Sequence, residues 1–455
     1  MQWLQAFITP VLKKGVTSNP SNYRPISLTC TCCRVMERII NTQLIDHLLV
    51  HQLITPHQHG FLRKHSTCSN LLETVNDWCL ALDNHLVTDA VYIDFQKAFD
   101  SVSHIKLFSK LESYNIKGDL LQWIGAFLSH RTQHVKIANS VSDVIEIVSG
   151  VPQGSVLGPT LFLLYINDLT DILSNFKSCS VKLYADDVKL YSSFKISDFS
   201  VDLATVLDRV SEWASLWQLS IATNKCVSHR ILSSSSKHTT NNYYKLNDFL
   251  LEWSDKTKDL GITMDSHLEF NQHIANIVHS AHIRANLILR SFVSRDREVL
   301  VKAFVTYVRP ILEYCAPVWS PYRVGLIKKV EDVQRRFTKR LAGLQCTPYI
   351  ERINLLHLDS LEIRRIKLDL IMCYNIIHGN ICIDCSRFFT VIKSSCTRGH
   401  NYKIYKRQCH LDVCKYSFSF RVVNIWNSLP SNIVNAESVN SFKNRLNSIN
   451  FSQYL

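Results

Sequence analysis

Val181-Lys182-Leu183-Tyr184-Ala185-Asp186-Asp187-Val188-Lys189-Leu190-Tyr191 sets the same four letters, VKLY, on both sides of Ala185-Asp186-Asp187. Two short apolar-rich runs joined by so brief a link read as a β-hairpin with two carboxylates at its tip. Adjacent acids on a tight turn repel one another, which favours neutralisation by a cation. A plain turn more often carries one Asp beside Gly or Asn.

A third carboxylate stands far upstream. Ala90-Val91-Tyr92-Ile93 is a buried-strand run that ends on Asp94, followed by Phe95-Gln96-Lys97-Ala98-Phe99-Asp100. A carboxylate at the end of a buried strand is costly unless it is paired or bound to metal. Three carboxylates gathered from distant parts of a chain suit two Mg²⁺ ions roughly 3.5–4 Å apart, an arrangement used for in-line phosphoryl displacement. Each feature alone is weak, because isolated Asp-Asp pairs are common; together they are specific.

Around these residues the patterning alternates. Thr160 to Leu169 reads as a mostly apolar helix, with Pro159 suited to its first turn. Ser211 to Leu219 puts Trp213 and Trp217 on one helical face, which is more often core than binding surface. The Ser/Thr/Asn-rich stretch from Ser233 to Tyr244 reads as a loop or boundary. Beyond it helical patterns dominate: His273 to Arg290, Glu298 to Tyr314, and Gly325 to Leu341. The last of these carries Lys328, Lys329, Arg335, Arg336, Lys339 and Arg340.

The 455 residues are 46% hydrophobic and 20% charged, an ordinary globular composition that argues against wholesale disorder. The longest strongly apolar run, Leu161 to Ile166, is far short of the roughly 20 residues of a membrane span, and no signal-peptide pattern opens the sequence. The expectation is a soluble, intracellular protein without a membrane. The 15 cysteines lack a framework spacing and imply reduced thiols. Cys382, Cys385, Cys396 and His400 have a zinc-like spacing, but the other cysteines crowding this stretch argue against a finger, and no metal is assigned there. The net charge is +13. From Pro321 onward there are 21 basic against 9 acidic residues, whereas the first 320 hold 30 against 29. Excess charge confined to the last third suggests a contact surface for a polyanion, with a plain solvated basic face as the alternative.

The ordered blocks resemble the reverse transcriptase of non-LTR (LINE-type) retrotransposons, the jockey-like groups above all. They are Ile8-Thr-Pro-Val-Leu-Lys-Lys14, Asn22-Tyr-Arg-Pro-Ile-Ser-Leu28, Gln58-His-Gly-Phe61 with Ser66-Thr67, and Tyr92 to Asp100. Gly150-Val-Pro-Gln-Gly-Ser-Val-Leu-Gly-Pro159, Tyr184-Ala-Asp-Asp187, Asn224-Lys225 and Leu260-Gly261 follow. Phe420 to Leu429 with Trp426 to Pro430 is similar to the family's C-terminal extension.

The resemblance implies an α+β right-hand polymerase with fingers, palm and thumb and a mainly helical C-terminal part. Fingers would fill 1–90, the palm with its catalytic motifs 91–232, the end of the palm and a connecting loop 233–270, the helical thumb 271–345, and a basic C-terminal extension 346–455. Asp94, Asp186 and Asp187 would hold two Mg²⁺ ions, with Mn²⁺ as an alternative, and the Phe95 carbonyl would be a further ligand. Lys225 resembles a proton donor to leaving pyrophosphate. Phe99 corresponds to a gate against the ribose 2′-hydroxyl. Gln153 and Gly154 would line template and incoming nucleotide, glycine permitting close backbone approach. Arg63, with Lys14 and Arg24, would meet the triphosphate, where guanidinium geometry fits phosphate oxygens. A merely solvated role competes for these basic residues. The family's Gly-Phe-Arg run reads Gly60-Phe61-Leu62-Arg63 here, which shifts the register of Arg63. Lys328, Lys329, Arg335, Arg336, Lys339 and Arg340 would track the phosphate backbone.

The implied reaction is RNA-directed DNA synthesis from an RNA template, a DNA primer and dNTPs, in nucleus and cytoplasm. The nuclease that such elements carry upstream has no counterpart before Ile8, so a separate endonuclease is expected to nick the target. The alternatives are a catalytically silent nucleic-acid-binding remnant and an RNA-copying RNA polymerase; a bulky Phe99 disfavours the latter.

Overall fold

Leu86–Ile93 is buried at nearly every position, and in the computed structural model it is the inner strand about which the sheet of the site is built. The structure describes residues 3–13, 15–234, 243–392 and 399–454. In chain order, β1 (Gln5–Leu12) and β2 (Tyr23–Leu28) precede helices α1 (Thr31–Val50) and α2 (Thr67–Asp83). Next come β3 (Leu86–Ile93), α3 (His104–Ser113) and α4 (Gly118–Leu128). The short strands β4 (Arg131–Ile137), β5 (Ser140–Val141) and β6 (Ile145–Ile147) lead to α5 (Gly158–Ile166). The hairpin β7 (Cys179–Tyr184) and β8 (Asp187–Lys195) is followed by α6 (Val201–Leu216) and β9 (Val227–Ile231). Two further hairpins, β10–β11 (Lys245–Leu246, Phe249–Leu250) and β12–β13 (Lys256–Asp259, Ile262–Asp265), close the sheet-bearing part.

From there the chain is helical. The helices are α7 (Asn271–Ser291), α8 (Arg297–Tyr307), α9 (Arg309–Glu313), α10 (Ala316–Trp319), α11 (Val324–Lys339) and α12 (Tyr349–Leu355). Then come α13 (Leu361–Ile377), α14 (Cys385–Phe388), α15 (Asp412–Lys415), α16 (Phe418–Ser428), α17 (Ser431–Val434) and α18 (Val439–Leu446). The α+β class expected from the sequence is the class observed. No described helix is long and apolar enough to cross a membrane.

The central sheet runs β7-β8-β3-β9, antiparallel throughout. Its strands alternate, and each face buries its own set. Val91, Ile93, Val181, Leu183, Val188 and Leu190 join one core with α5 and α6. Ala90 and Tyr191 face the other core, shared with α2 and the helices from α7 onward. Helix α5 is apolar all round and buried from Thr160 to Ile166, as a helix under a sheet must be. Polar Ser69, Asn70, Glu73, Thr74 and Asn76 are buried on α2, which marks it as a hub rather than a surface helix.

The second sheet, β2-β1-β4-β5 with β6 on β4, pairs β1 and β4 in parallel and the rest antiparallel. Three local expectations change. The hairpin loop is Ala185-Asp186 alone, since Tyr184 pairs with Asp187, which begins β8. The helix expected over Glu298 to Tyr314 is two, α8 and α9, separated at Val308 where Pro310 in the next turn cannot donate to an unbroken ladder. Trp217 caps α6 rather than lying within it, yet it and Trp213 both face the Lys110 ammonium, as their shared face implies. Most of the Ser233 to Tyr244 stretch, residues 235–242, lies outside the described residues.

The chain after residue 346 packs as part of the body. Cys414 donates to the Cys79 carbonyl at 2.9 Å, the His410 amide to Asp83 at 2.7 Å, and Ser419 to Asn76 at 2.8 Å, all on α2. Many of its basic residues are consumed internally: Arg421 by Asp369, Lys367 by Asp359, Arg387 by Asp77.

Candidate active site

The register of the sheet assembles the carboxylates. The last β3–β8 pair is Ile93↔Val188, so the next residue of one strand, Asp94, comes level with the preceding residue of the other, Asp187. Side chains so opposed in an antiparallel pair sit roughly 4.5–5.5 Å apart at Cβ. Asp186 occupies the loop beside them. Ala185 holds φ +57°, the left-handed conformation that two-residue hairpin loops demand at their first position.

The loop is buttressed from behind by the Gln58 block. Gln58 Oε1 accepts from the amides of Ala185 at 3.0 Å and Gly60 at 2.7 Å. The His59 amide donates to the Leu183 carbonyl at 2.9 Å, and the Leu183 amide to the His57 carbonyl at 3.0 Å. A Cβ at Gly60 would lie 2.5 Å from the Ala185 nitrogen, so only glycine lets the backbone come so near. The open edge of β7 is thereby covered.

Asp94 is fixed from the other side. Its carbonyl accepts from the Ala222 amide at 2.8 Å, and Lys225 donates to its carboxylate at 3.2 Å. Burial, and beyond it the charge of Asp94, push the Asp186 carboxyl above its ordinary range, while Arg24 and Lys13 pull it back. Loss of water and then the charges of Asp186, Asp259 and Asp94 push Asp187 up to about 7. Crowded carboxylates without a counter-charge behave this way.

A cleft of about 830 Å³ opens here, lined by Asp94, Asp187, Lys225, Lys258, Asp259 and Gly261 among others. Among the described residues no three His, Cys, Asp or Glu side chains are gathered tightly enough to hold an ion as they stand.

Of the other expected residues, Phe99 is half-buried, stacked on Phe162 at 4.4 Å with its edge towards the exposed Phe61 at 6.3 Å. Gln153 donates to Asp100 at 3.2 Å, and its carbonyl accepts from the Ser27 amide at 2.7 Å. Gly154 has φ +110°, and a Cβ there would meet the Ser27 carbonyl oxygen at 2.6 Å, so the close approach its glycine permits is to β2. Phe95 is buried against Trp213. Arg63 is exposed and lies 3.7 Å from Asp46, while Arg24 and Lys13 are the cations felt by Asp186. Lys14 lies outside the described residues.

On α11, Lys328, Lys329, Arg336 and Lys339, with Arg340 at the helix's C-cap, are exposed opposite the buried Val330, Val333, Gln334 and Phe337. Arg335 is partly exposed, 2.6 Å from Asp332, and lies over the Tyr349 ring. Arg336, Lys339 and Arg340 line a groove of about 920 Å³ with His282 and Asn286 of α7. Of the zinc-like set, Cys396 lies outside the described residues, and both His400 ring nitrogens are engaged, by the Trp426 carbonyl and the Tyr402 amide.

Sequence reasoning passed over Lys182 and Lys189, which face each other across the hairpin and are buried on Glu73 and Asp259. A lysine inside each strand run was the available signal, because a buried ammonium requires a partner.

The family model for reverse transcriptase (RNA-dependent DNA polymerase) matches residues 11–264. The chain is 30% identical over 349 residues to the RNA-directed DNA polymerase from mobile element jockey of Drosophila funebris, covering 74% of this chain and 37% of that protein. It is 28% identical over 372 residues to the probable RNA-directed DNA polymerase from transposon BS of Drosophila melanogaster, covering 79% and 40%. The chain spans about two fifths of the length of these relatives. A solved structure of apo telomerase from Candida tropicalis is 12% identical with a TM-score of 0.45, covering 83% of this chain and 63% of that one. With the family match extending over more than half of its length and including every carboxylate of the cleft, the chain belongs to the reverse transcriptase (RNA-dependent DNA polymerase) family.

Proposed function

We propose that the chain is an RNA-directed DNA polymerase that copies retrotransposon RNA into DNA. The observation that carries the reading is the strand register that brings Asp94 level with Asp187, with Asp186 beside them, at the mouth of a cleft. The donor set fits hard divalent cations: carboxylate oxygens with raised proton affinity gain most from a 2+ charge. Asp94, Asp186, Asp187 and the Phe95 carbonyl would hold two Mg²⁺ ions, or Mn²⁺. When bound, these supply Lewis acidity at the primer 3′-hydroxyl and at the α-phosphate of the dNTP.

The remaining roles belong to the chain. Lys225, whose Nζ donates to Asp94 at 3.2 Å, would give its proton to departing pyrophosphate. Phe99, backed by Phe162, limits space beside the sugar. Gln153 and Gly154, tied to β2, shape the floor for template and nucleotide. The α7–α11 groove, with Lys328 and Lys329 further along α11, suits the phosphates of the RNA–DNA duplex. Fingers over 1–90, palm over 91–232, a connecting stretch over 233–270, thumb over 271–345 and an extension over 346–455 is the domain division we adopt. Nicked target DNA would come from a separate endonuclease activity, and the protein would work in nucleus and cytoplasm.

Primer extension on poly(rA)/oligo(dT) with dTTP and Mg²⁺ tests the reading, with Asp186→Asn as the control. Extension by the wild type that the variant loses supports it, because the loop aspartate supplies charge rather than packing. Primer–template binding without extension would instead identify a silent nucleic-acid-binding remnant.

A further inference from the structure

Between the hairpin and α2 lies an ionic cluster that the proposed chemistry does not use, although one of its members, Lys182, also lines the cleft. Helix α2 presents Glu73 and Asp77, four residues apart and therefore on one face. Two carboxylates so placed repel each other unless cations separate them. Lys182 of β7 pairs with Glu73. Tyr191 of β8 donates its hydroxyl to Asp77 at 2.6 Å. Each strand of the hairpin is thus tied to α2 by one polar side chain.

The remaining charge comes from a residue 310 positions along the chain from Asp77. Arg387 of α14 places one guanidinium nitrogen 2.7 Å from both Asp77 oxygens, and another 3.6 Å from Glu73. Its own carbonyl accepts from Asn76 at 3.2 Å, which fixes α14 on α2. Glu73, Lys182 and Tyr191 are 6%, 4% and 3% exposed, whereas the Asp77 and Arg387 side chains keep 23% and 38% of their surface, so the network is dry where it meets the hairpin and partly screened at Arg387.

We propose that Arg387, in the C-terminal part of the chain, is a positioning residue for the hairpin that carries Asp186 and Asp187: it balances Glu73 and Asp77, and these hold Lys182 and Tyr191. The inference rests on the reading of that hairpin as the catalytic one. With Arg387 absent, the two acids keep one ammonium, that of Lys182, and the buried His59 imidazole, whose Nε2 lies 3.7 Å from Glu73 and out of contact with Asp77. Asp77 then repels Glu73 and loosens its hold on the Tyr191 hydroxyl, and the strands that aim the loop carboxylates lose their register on α2. A misplacement on the order of 1 Å at reacting groups costs up to about 100-fold in rate.

The test compares Arg387→Gln, Tyr191→Phe and the double variant. The first readout is hydrogen exchange by mass spectrometry on the peptide spanning 179–195, with the 131–147 strands as internal reference. The second is steady-state primer extension on poly(rA)/oligo(dT). The expected result is faster exchange in 179–195 alone and a kcat lower by about 10-fold at unchanged KM for dTTP and primer–template. The double variant should be no slower than the slower single variant, because both act through Asp77. Unchanged exchange in 179–195, an unchanged kcat, or additive losses would overturn the proposal. Should Arg387→Gln fail to fold, exchange in the near-isosteric Tyr191→Phe decides: faster in 179–195 supports it, unaltered overturns it. If the wild type does not extend primers at all, the functional reading fails while the exchange experiment still judges the positioning role.

Discussion

Asp187→Asn should make the metal-free protein more stable while destroying its use of divalent metal. The Asp187 carboxyl is pushed from the ordinary 3.8 up to about 7 by loss of water and by Asp186, Asp259 and Asp94. A raised folded-state value means that folding favours the protonated form. Stability contributed by this group is therefore present at low pH and lost as pH rises from the ordinary carboxyl range to about 7. Asparagine keeps the shape without the charge, so its advantage over the wild type should open above about pH 4, be complete near pH 7 and stay level beyond. A shift of this size on a fully buried group would amount to about 4 kcal/mol. Asp187 is exposed, water screens it, and we expect about 1 kcal/mol. Divalent metal inverts the order, since a ligand that binds only the folded state stabilises by RT ln(1 + [L]/Kd). Below pH 7 the wild-type affinity should fall about tenfold per pH unit as metal displaces one proton. Thermal unfolding at pH 5, 6, 7 and 8, in chelator and in Mg²⁺, reads all of this. An Asp187→Asn variant less stable than wild type in chelator at pH 8, or stabilised equally by Mg²⁺, would refute the reasoning.

Phe99→Val should raise the kcat/KM of rTTP relative to dTTP, at a packing cost of about 1–2 kcal/mol from the lost stack on Phe162; single-nucleotide insertion with both substrates checks it, and an unaltered ratio rejects the gate. Replacing Arg336, Lys339 and Arg340 together by Ala should lower the slope of log affinity against log salt for primer–template by up to about 3. Arg335→Ala should leave that slope alone and lower Tm, because Asp332 and Tyr349 already hold the side chain; a changed slope would restore it to the contact surface. Gly154→Ala should destabilise by about 1–3 kcal/mol, because its φ of +110° and the Ser27 oxygen leave no room for a methyl group. An unshifted Tm in that variant would show that β2 can yield.

The hairpin, the strand ending on Asp94, the apolar helix expected over Thr160 to Leu169 (found as α5, with a 3-10 helix from Asn167) and the amphipathic α11 were legible because each is written in local periodicity: alternation for strands, a 3.6-residue stripe for helices. The carboxylates were legible because an acid at the end of a buried strand has few structural excuses. Partners distant in the chain were not. Nothing local in Gln58 announces that it buttresses Ala185, nothing in Arg335 that Asp332 and Tyr349 will claim it, and nothing in Arg387 that it will sit on Asp77. Net charge after residue 321 told how many cations there were, but whether each faces water or an internal acid depends on which helices pack together.

The sequence by itself determined the local strand and helix patterns, the candidate carboxylates and the order of the blocks, because these follow from side-chain chemistry along short stretches; the fold class came through the resemblance those blocks carry. Only the tertiary structure decided the β3–β8 register that brings Asp94 level with Asp187, the burial and neighbouring acids that raise the proton affinity of Asp187, and the seating of the C-terminal helices on α2. These depend on strand register and on burial, and both are set by contacts between segments that approach one another only when the whole core forms.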